Sequence, residues 1–250
     1  MSEKENNQIA DMDNYHVRWK ELYIVGGICG IVTSILVVLT VVVYFIRPFQ
    51  PGLSSAVDIF SAIQNNAFQG LMSLDFTMVV STFIIIPFFL AIYISTKLAN
   101  ESYALIALTF GLISCILAFF MRPVLEMFYF YDLYTKATTE AARNHYLTAA
   151  EALGALNYGT CWVLYMISFS IELVLSSLLM LRIKAFNKAT AWLGIILTLG
   201  VVSALGPIFP ELAQISTLIN LVCTLIWTIW NILVAKTLFQ LAKSTPKKPV

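Results

Sequence analysis

Charge is scarce in this chain. Of 250 residues, 12% are Asp, Glu, Lys or Arg, 59% are hydrophobic, and the mean hydropathy is +0.82. Soluble domains carry about 25% charged residues, so this chain has too little polar surface to cover a globule in water. A net charge of +1 offers no basic face for nucleic acid. Histidine is scarcer still, with only His16 and His145. No HExxH, paired-histidine or clustered-carboxylate pattern falls inside an apolar run, and GxSxG elbows and Walker A loops are missing. These absences disfavour an intramembrane metal hydrolase, a serine hydrolase and a nucleotide-driven motor. Cys29, Cys115, Cys161 and Cys223 all sit in apolar runs without CxxC spacing. They read as small hydrophobes rather than zinc ligands or a disulfide framework. These residues call for no metal and no cofactor.

Long uncharged runs are what the chain does have. A bilayer core of about 30 Å needs about 20 apolar residues in a helix. Six runs qualify, at about 22–46, 74–96, 102–121, 154–181, 189–208 and 212–235, and only the fourth carries a mid-run charge, Glu172. Lipid offers the backbone no hydrogen-bond partner, so each run must be helical. The expected fold is all-α: a six-span membrane bundle over 21–242, with a polar tail at 1–20 and a basic tail at 243–250. Counted from Ala152 to Leu181, the fourth run is 30 residues, which exceeds the bilayer core, and it is expected to tilt or project. The first run reads as a retained anchor, because it is long and no small-residue cleavage site follows it. MSEK at the start lacks the glycine that myristoylation needs.

Orientation follows from lysine and arginine. With the N-terminus inside, 11 of the 15 basic residues lie on the inner side, and Arg47, Arg122, Lys136 and Arg143 lie outside. The positive-inside rule then puts both termini in the cytoplasm of a multi-pass cell-membrane protein. The inner connections are short, whereas 47–72 and 122–153 on the outer side are long. In the first, Pro48, Pro51 and Gly52 punctuate the exit, and Ser55 and Asp58 are spaced as a capping box. Val57, Phe60, Ala67, Phe68 and Leu71 then follow at helical spacing, as in an amphipathic interfacial helix. In the second, Thr138 is the expected cap of a helix running into the fourth span. Ala142, Tyr146, Leu147 and Ala150 share one of its faces. Two outer helical segments would therefore form a cap, either roofing a cavity or covering the bundle ends.

Gly26 and Gly30 form a GxxxG spacing that permits close helix contact, with packing inside the bundle preferred. Pro87 falls mid-span and is expected to kink its helix. Residues 103–117 can be laid over 192–206 with five identities, a weak parallel repeat.

Glu172 is the sharpest candidate. It lies ten residues before Arg182, about 15 Å along a helix and so near the bilayer midplane. A carboxylate at that depth is expensive and usually faces protein or water. It could take up a proton, bind a cation or anchor a ligand. It could equally be a protonated acid hydrogen-bonded to a neighbour, with Asn231, Ser168, Ser176 and Thr228 as candidate partners. Asn157, Tyr158 and Asn220 lie towards the outer ends of the fourth and sixth spans. They could line a cavity or simply join helices. Arg122 and Glu126 are four apart and form a candidate wet ion pair, with Asp75 nearby at the same boundary.

Residues 71–241 carry a resemblance. LMSLD at 71–75, PFFLAIY at 87–93, EALGALNYGT at 151–160 and SSLLMLRIKAFNKATAWLGI at 176–195 are similar to an uncharacterised bacterial multi-pass membrane family, a domain of unknown function. Arg122-Pro123 departs from that pattern, where a neutral polar residue is usual. The resemblance implies a prokaryotic-type membrane protein of this span count and supplies no activity.

Three functions fit these residues. The first is a non-enzymatic binding, sensory or accessory protein, holding an apolar or lipid-like small molecule under the outer cap. The second is a small proton-coupled transporter using Glu172. The third is a membrane-lipid-modifying enzyme using His145 with Glu151 or Glu126. The lipid bilayer is the expected partner in each, with no nucleic acid, and the oligomeric state is left open.

Overall fold

The structure, a computed structural model, describes residues 15–46, 55–157, 159–206 and 208–243. Every regular element among them is helical. In chain order these are α1 (Lys20–Ile46), α2 (Ala56–Asn65), α3 (Ala67–Ser73), α4 (Phe76–Thr96), α5 (Glu101–Phe120), α6 (Val124–Lys136), α7 (Glu140–Gly154), α8 (Thr160–Met180), α9 (Lys188–Leu197) and α10 (Ala213–Ala242). Short 3₁₀ segments lie at Ala155–Asn157, Thr198–Leu205 and Pro210–Leu212. Six helical stretches are long and apolar enough to cross a membrane. They are built on α1, α4, α5, α8, α9 with its 3₁₀ continuation, and α10.

The six spans form a ring that follows chain order. α1 packs on α4, α4 on α5, α5 on α8, α8 on α9, α9 on α10, and α10 returns to α1. Across the middle, α4 also reaches α8 and α10. Six alternating helical stretches leave Tyr15 and Lys243, the first and last described residues, at one end, and α2, α3, α6 and α7 gather at the other.

Small residues set the closest approach. A Cβ on Gly26 would collide with Ala91 Cβ and stand 3.1 Å from the Pro87 carbonyl oxygen, and one on Gly30 would stand 2.6 Å from the Phe88 ring. The GxxxG spacing therefore serves α1–α4 packing inside the bundle, as expected. Ser34 Oγ donates to the Thr228 carbonyl at 3.4 Å and joins α1 to α10. The main core runs through Phe88, Phe89, Ile92, Leu173, Trp230 and Val234.

The cap has its own core of Ala56, Ile59, Phe60, Ile63, Leu74, Val124, Met127 and Ala150. Phe60 packs against Tyr131 and Tyr134, with ring centroids 5.6 and 5.3 Å apart. The capping box forms as read: Asp58 N–H donates to Ser55 Oγ at 3.3 Å, and Ser55 N–H donates to Asp58 Oδ2 at 3.1 Å. Other expectations need correction. The interfacial helix is two helices, because Asn66 ends α2 and caps α3, accepting from Phe68 N–H at 2.8 Å. Val57 and Phe68 point outward, 51% and 66% exposed, since the buried face runs through Ile59, Phe60 and Ile63 instead. Thr139, not Thr138, caps α7, accepting from Ala142 N–H at 3.2 Å.

The long fourth run does not project as one helix. It breaks at the 3₁₀ turn Ala155–Asn157 and at Gly159, so α8 spans 21 residues and α7 stays separate. The weak repeat also parts in structure. Residues 103–117 lie within continuous α-helix, whereas 198–205 are 3₁₀. Arg47, Pro48, Pro51 and Gly52 lie outside the described residues.

At the terminal end, residues 15–18 make a helical turn that docks on α4. Tyr15 O–H donates to the Ile94 carbonyl at 2.8 Å, and His16 Nδ1 lies 3.1 Å from Tyr23 O–H. Lys97 Nζ sits over three rings, 5.5 Å from Tyr15, 5.7 Å from Trp19 and 5.8 Å from Tyr93, within cation–π range.

Candidate functional site

Glu172 lies in the fourth turn of α8 on the face turned inward, 1% exposed. Ser176, one turn further on, donates its hydroxyl to Glu172 Oε1 at 2.9 Å. Oε2 has no hydrogen-bond partner. Gly111 of α5 makes room for the side chain, since a Cβ there would stand 3.1 Å from Glu172 Cγ and 3.3 Å from the Phe89 ring. The Cys115 thiol, one turn along α5, is within electrostatic reach of the carboxylate. The other anticipated partners do not engage it. Both polar atoms of the Asn231 amide are unpartnered and the residue is fully buried. Thr228 Oγ1 donates instead to the Thr224 carbonyl at 3.0 Å. Asn157 is half-buried in its 3₁₀ turn and Asn220 half-buried on α10. Tyr158 lies outside the described residues.

Between Glu172 and the cap, α4, α5, α8 and α10 leave a narrow crevice. Ser81, Thr82, Ser114, Cys115 and Tyr165 contribute to its wall, with Phe89 and Trp227 among the apolar lining. Its volume, ≈ 20 Å³, suits about one water molecule. Ser81 and Thr82 donate to the Met78 carbonyl at 2.9 and 2.7 Å, and Ser114 to the Gly111 carbonyl at 2.7 Å. Their oxygens remain free to accept.

The cap end of the crevice carries an ion pair. Arg122 Nε donates to Asp75 Oδ2 at 2.8 Å, with the side chains 8% and 15% exposed. Arg122 Nη1 also donates to the Ala118 carbonyl at 3.0 Å. This corrects the wet Arg122–Glu126 pairing: Glu126 is exposed, and the partner lies 47 residues away. Burial pushes the Asp75 carboxyl up from its ordinary range, and the Arg122 guanidinium pulls against that shift. Asp75 is left-handed at φ 58°, the one positive-φ non-glycine among the described residues. Aspartate tolerates that region better than most side chains, and the conformation turns the chain from α3 into α4.

A second polar group was not legible in the sequence. A Cβ on Gly194 of α9 would run into Ser177 Oγ and stand 2.7 Å from Trp230 Nε1. Both atoms are fully buried and unpartnered. Glycine and serine within apolar runs were the available signal, but the convergence of three helices is not local information.

The bundle flank carries a shallower groove of ≈ 280 Å³ between α8 and the 3₁₀ continuation of α9, lined by Ile167, Ile171, Val174 and Val201 with Ser170 and Thr198. His145 and Glu151 are exposed on α7. Six positions apart, they point about 120° away from each other. Among the described residues no group of three or more His, Cys, Asp or Glu could hold a metal. Comparison with models of known protein families, with curated proteins and with solved structures gives no match, so the chemistry of the site is the guide to function.

Proposed function

We propose that this chain is a non-enzymatic sensory or accessory membrane protein whose internal ligand is a proton taken up at Glu172. Both termini lie in the cytoplasm and the cap faces outward. The supporting observation is the Glu172 carboxyl itself: it is buried in the ring of spans, holds one hydroxyl donor and leaves its second oxygen unpartnered. Hydrocarbon surroundings make such an oxygen costly. A group kept in that state is suited to change its protonation when its surroundings change. The groups facing it are Ser176 on its own helix and Cys115 on α5. The crevice is of water size, which favours a proton over the apolar or lipid-like molecule expected beneath the cap. Such a molecule fits the flank groove better.

Infrared difference spectroscopy in nanodiscs, wild type against Glu172→Gln, tests the reading. A carboxyl band that titrates across the physiological range and vanishes in the variant is the expected result. A band that never changes with pH would make Glu172 a purely structural acid and end the proposal. Proton-coupled transport is the second reading, favoured by the 3₁₀ stretch Thr198–Leu205 in the fifth span. Mid-helix 3₁₀ structure often marks a hinge. Proton flux into proteoliposomes, lost in Glu172→Gln, distinguishes a carrier from a sensor.

A further inference from the structure

We infer that the crevice is the cap-side entry route to Glu172 and that the Asp75–Arg122 ion pair is its gate. This rests on the reading of Glu172 as the proton site and adds how that site is reached. Three observations converge. First, the pair ties together the cap ends of the two helices that wall the crevice. Asp75 precedes Met78 by one turn on α4, Arg122 follows Ala118 by one turn beyond α5, and both Met78 and Ala118 line the crevice. Arg122 also grips the Ala118 carbonyl at 3.0 Å, so its guanidinium is braced against one wall while it pairs with the other. Second, polar groups continue inward from the pair. Tyr165, on the crevice wall, lies within electrostatic reach of Asp75, Arg122 and Cys115. Cys115 in turn lies within electrostatic reach of Glu172. The sequence Asp75–Arg122, Tyr165, Cys115, Glu172 leads from the cap boundary to the buried carboxyl. Third, that carboxyl keeps an unpartnered oxygen at 1% exposure, a terminus for protons passed along ordered water.

The pair is suited to gating because it is short, little exposed and spans two helices whose direct chain connection, residues 97–100, lies at their other end. Breaking it frees α4 and α5 to part at the mouth. The crevice then widens beyond the volume of a single water.

Cys115 reports on this directly. In full-length protein in nanodiscs, with Cys29, Cys161 and Cys223 replaced by alanine, its modification by methanethiosulfonate ethylammonium is followed by intact mass. The expected result is slow labelling in the parent. Asp75→Asn, which keeps a side chain tolerant of the left-handed backbone, and Arg122→Gln should each accelerate it by about tenfold or more, the scale of one charge-assisted hydrogen bond. Arg122→Lys, which keeps the charge, should stay near the parent rate. Ala118→Phe, which fills the mouth, should suppress the acceleration when combined with Asp75→Asn. Unchanged labelling in Asp75→Asn, or acceleration that survives the Ala118→Phe plug, would overturn the gate. Labelling does not depend on Glu172 ionising. A gate that opens while the infrared band stays fixed would therefore reject the proton site and leave the route standing. A titrating band with no effect of Asp75→Asn would do the reverse.

Discussion

The cap and the ring of spans satisfy their polar groups to different degrees. In the cap, Ser55, Asn66 and Thr139 each accept a backbone N–H at a helix start. Its interior is filled by Phe60, Ile59, Ile63 and Met127. Among the described residues, the eight buried side-chain atoms without partners belong to Thr33, Glu172, Ser177, Ser203, Trp227, Trp230 and Asn231, all of them in the spans. Lipid makes such atoms more costly than water would. The region that bears the greater cost of unpaired polarity is the one that holds Glu172. The region with few such costs packs over the helix ends at the boundary where Asp75 pairs with Arg122.

The comparison can be broken by substitution, with opposite signs in the two regions. Phe60→Ala removes a buried ring from the cap core and should cost about 3 kcal/mol or more. Hydrogen exchange should show the loss confined to α2, α3, α6 and α7, with the Glu172 infrared band unmoved. Loss of protection spread evenly over the spans would mean the cap has no separate core. Glu172→Leu should go the other way, stabilising the bundle by about 1 kcal/mol because an unpartnered oxygen is replaced by apolar volume. It should also remove any pH response. Equilibrium unfolding in micelles measures this, and a destabilisation comparable to Phe60→Ala would show the carboxyl to be structural. Ser55→Ala deletes one cap bond and should cost about 1 kcal/mol, again local to α2.

The smallest effect concerns pH at the terminal end. Burial raises the Tyr15 phenol from 10.0 to about 12, and the neutral O–H is the form that donates to Ile94. The contact's contribution is therefore complete below pH 10 and is lost as pH rises through about 12. Tyrosinate absorbance measured against Tyr15→Phe, read together with Trp19 fluorescence, checks the window. A Trp19 signal that shifts well below pH 10 would separate the docking from this phenol.

Local features were readable in the sequence. Span positions followed from uncharged runs, the Ser55–Asp58 box from its spacing, and the Gly26–Gly30 contact from residue size. The inward burial of Glu172 followed from the expense of a carboxylate in an apolar run. What escaped was non-local or conformationally subtle. Arg122 met Asp75 rather than Glu126 because a 47-residue separation leaves no periodic trace, whereas an i,i+4 neighbour does. Residues 198–205 took up 3₁₀ geometry in contact with α8 and α10, and an uncharged run by itself does not separate 3₁₀ from α-helix. Ser177 and Trp230 meet at Gly194 only once α8, α9 and α10 are in place.

The three rings around Lys97 give the N-terminal turn a mechanical meaning. A cation held by Tyr15, Trp19 and Tyr93, together with the Tyr15 bond to Ile94, rivets the start of the first span onto the far end of α4. The opposite end of α4 carries Asp75. A tug or a binding event on the chain ahead of Tyr15 would be delivered along α4, past Pro87, to the residue that clasps Arg122.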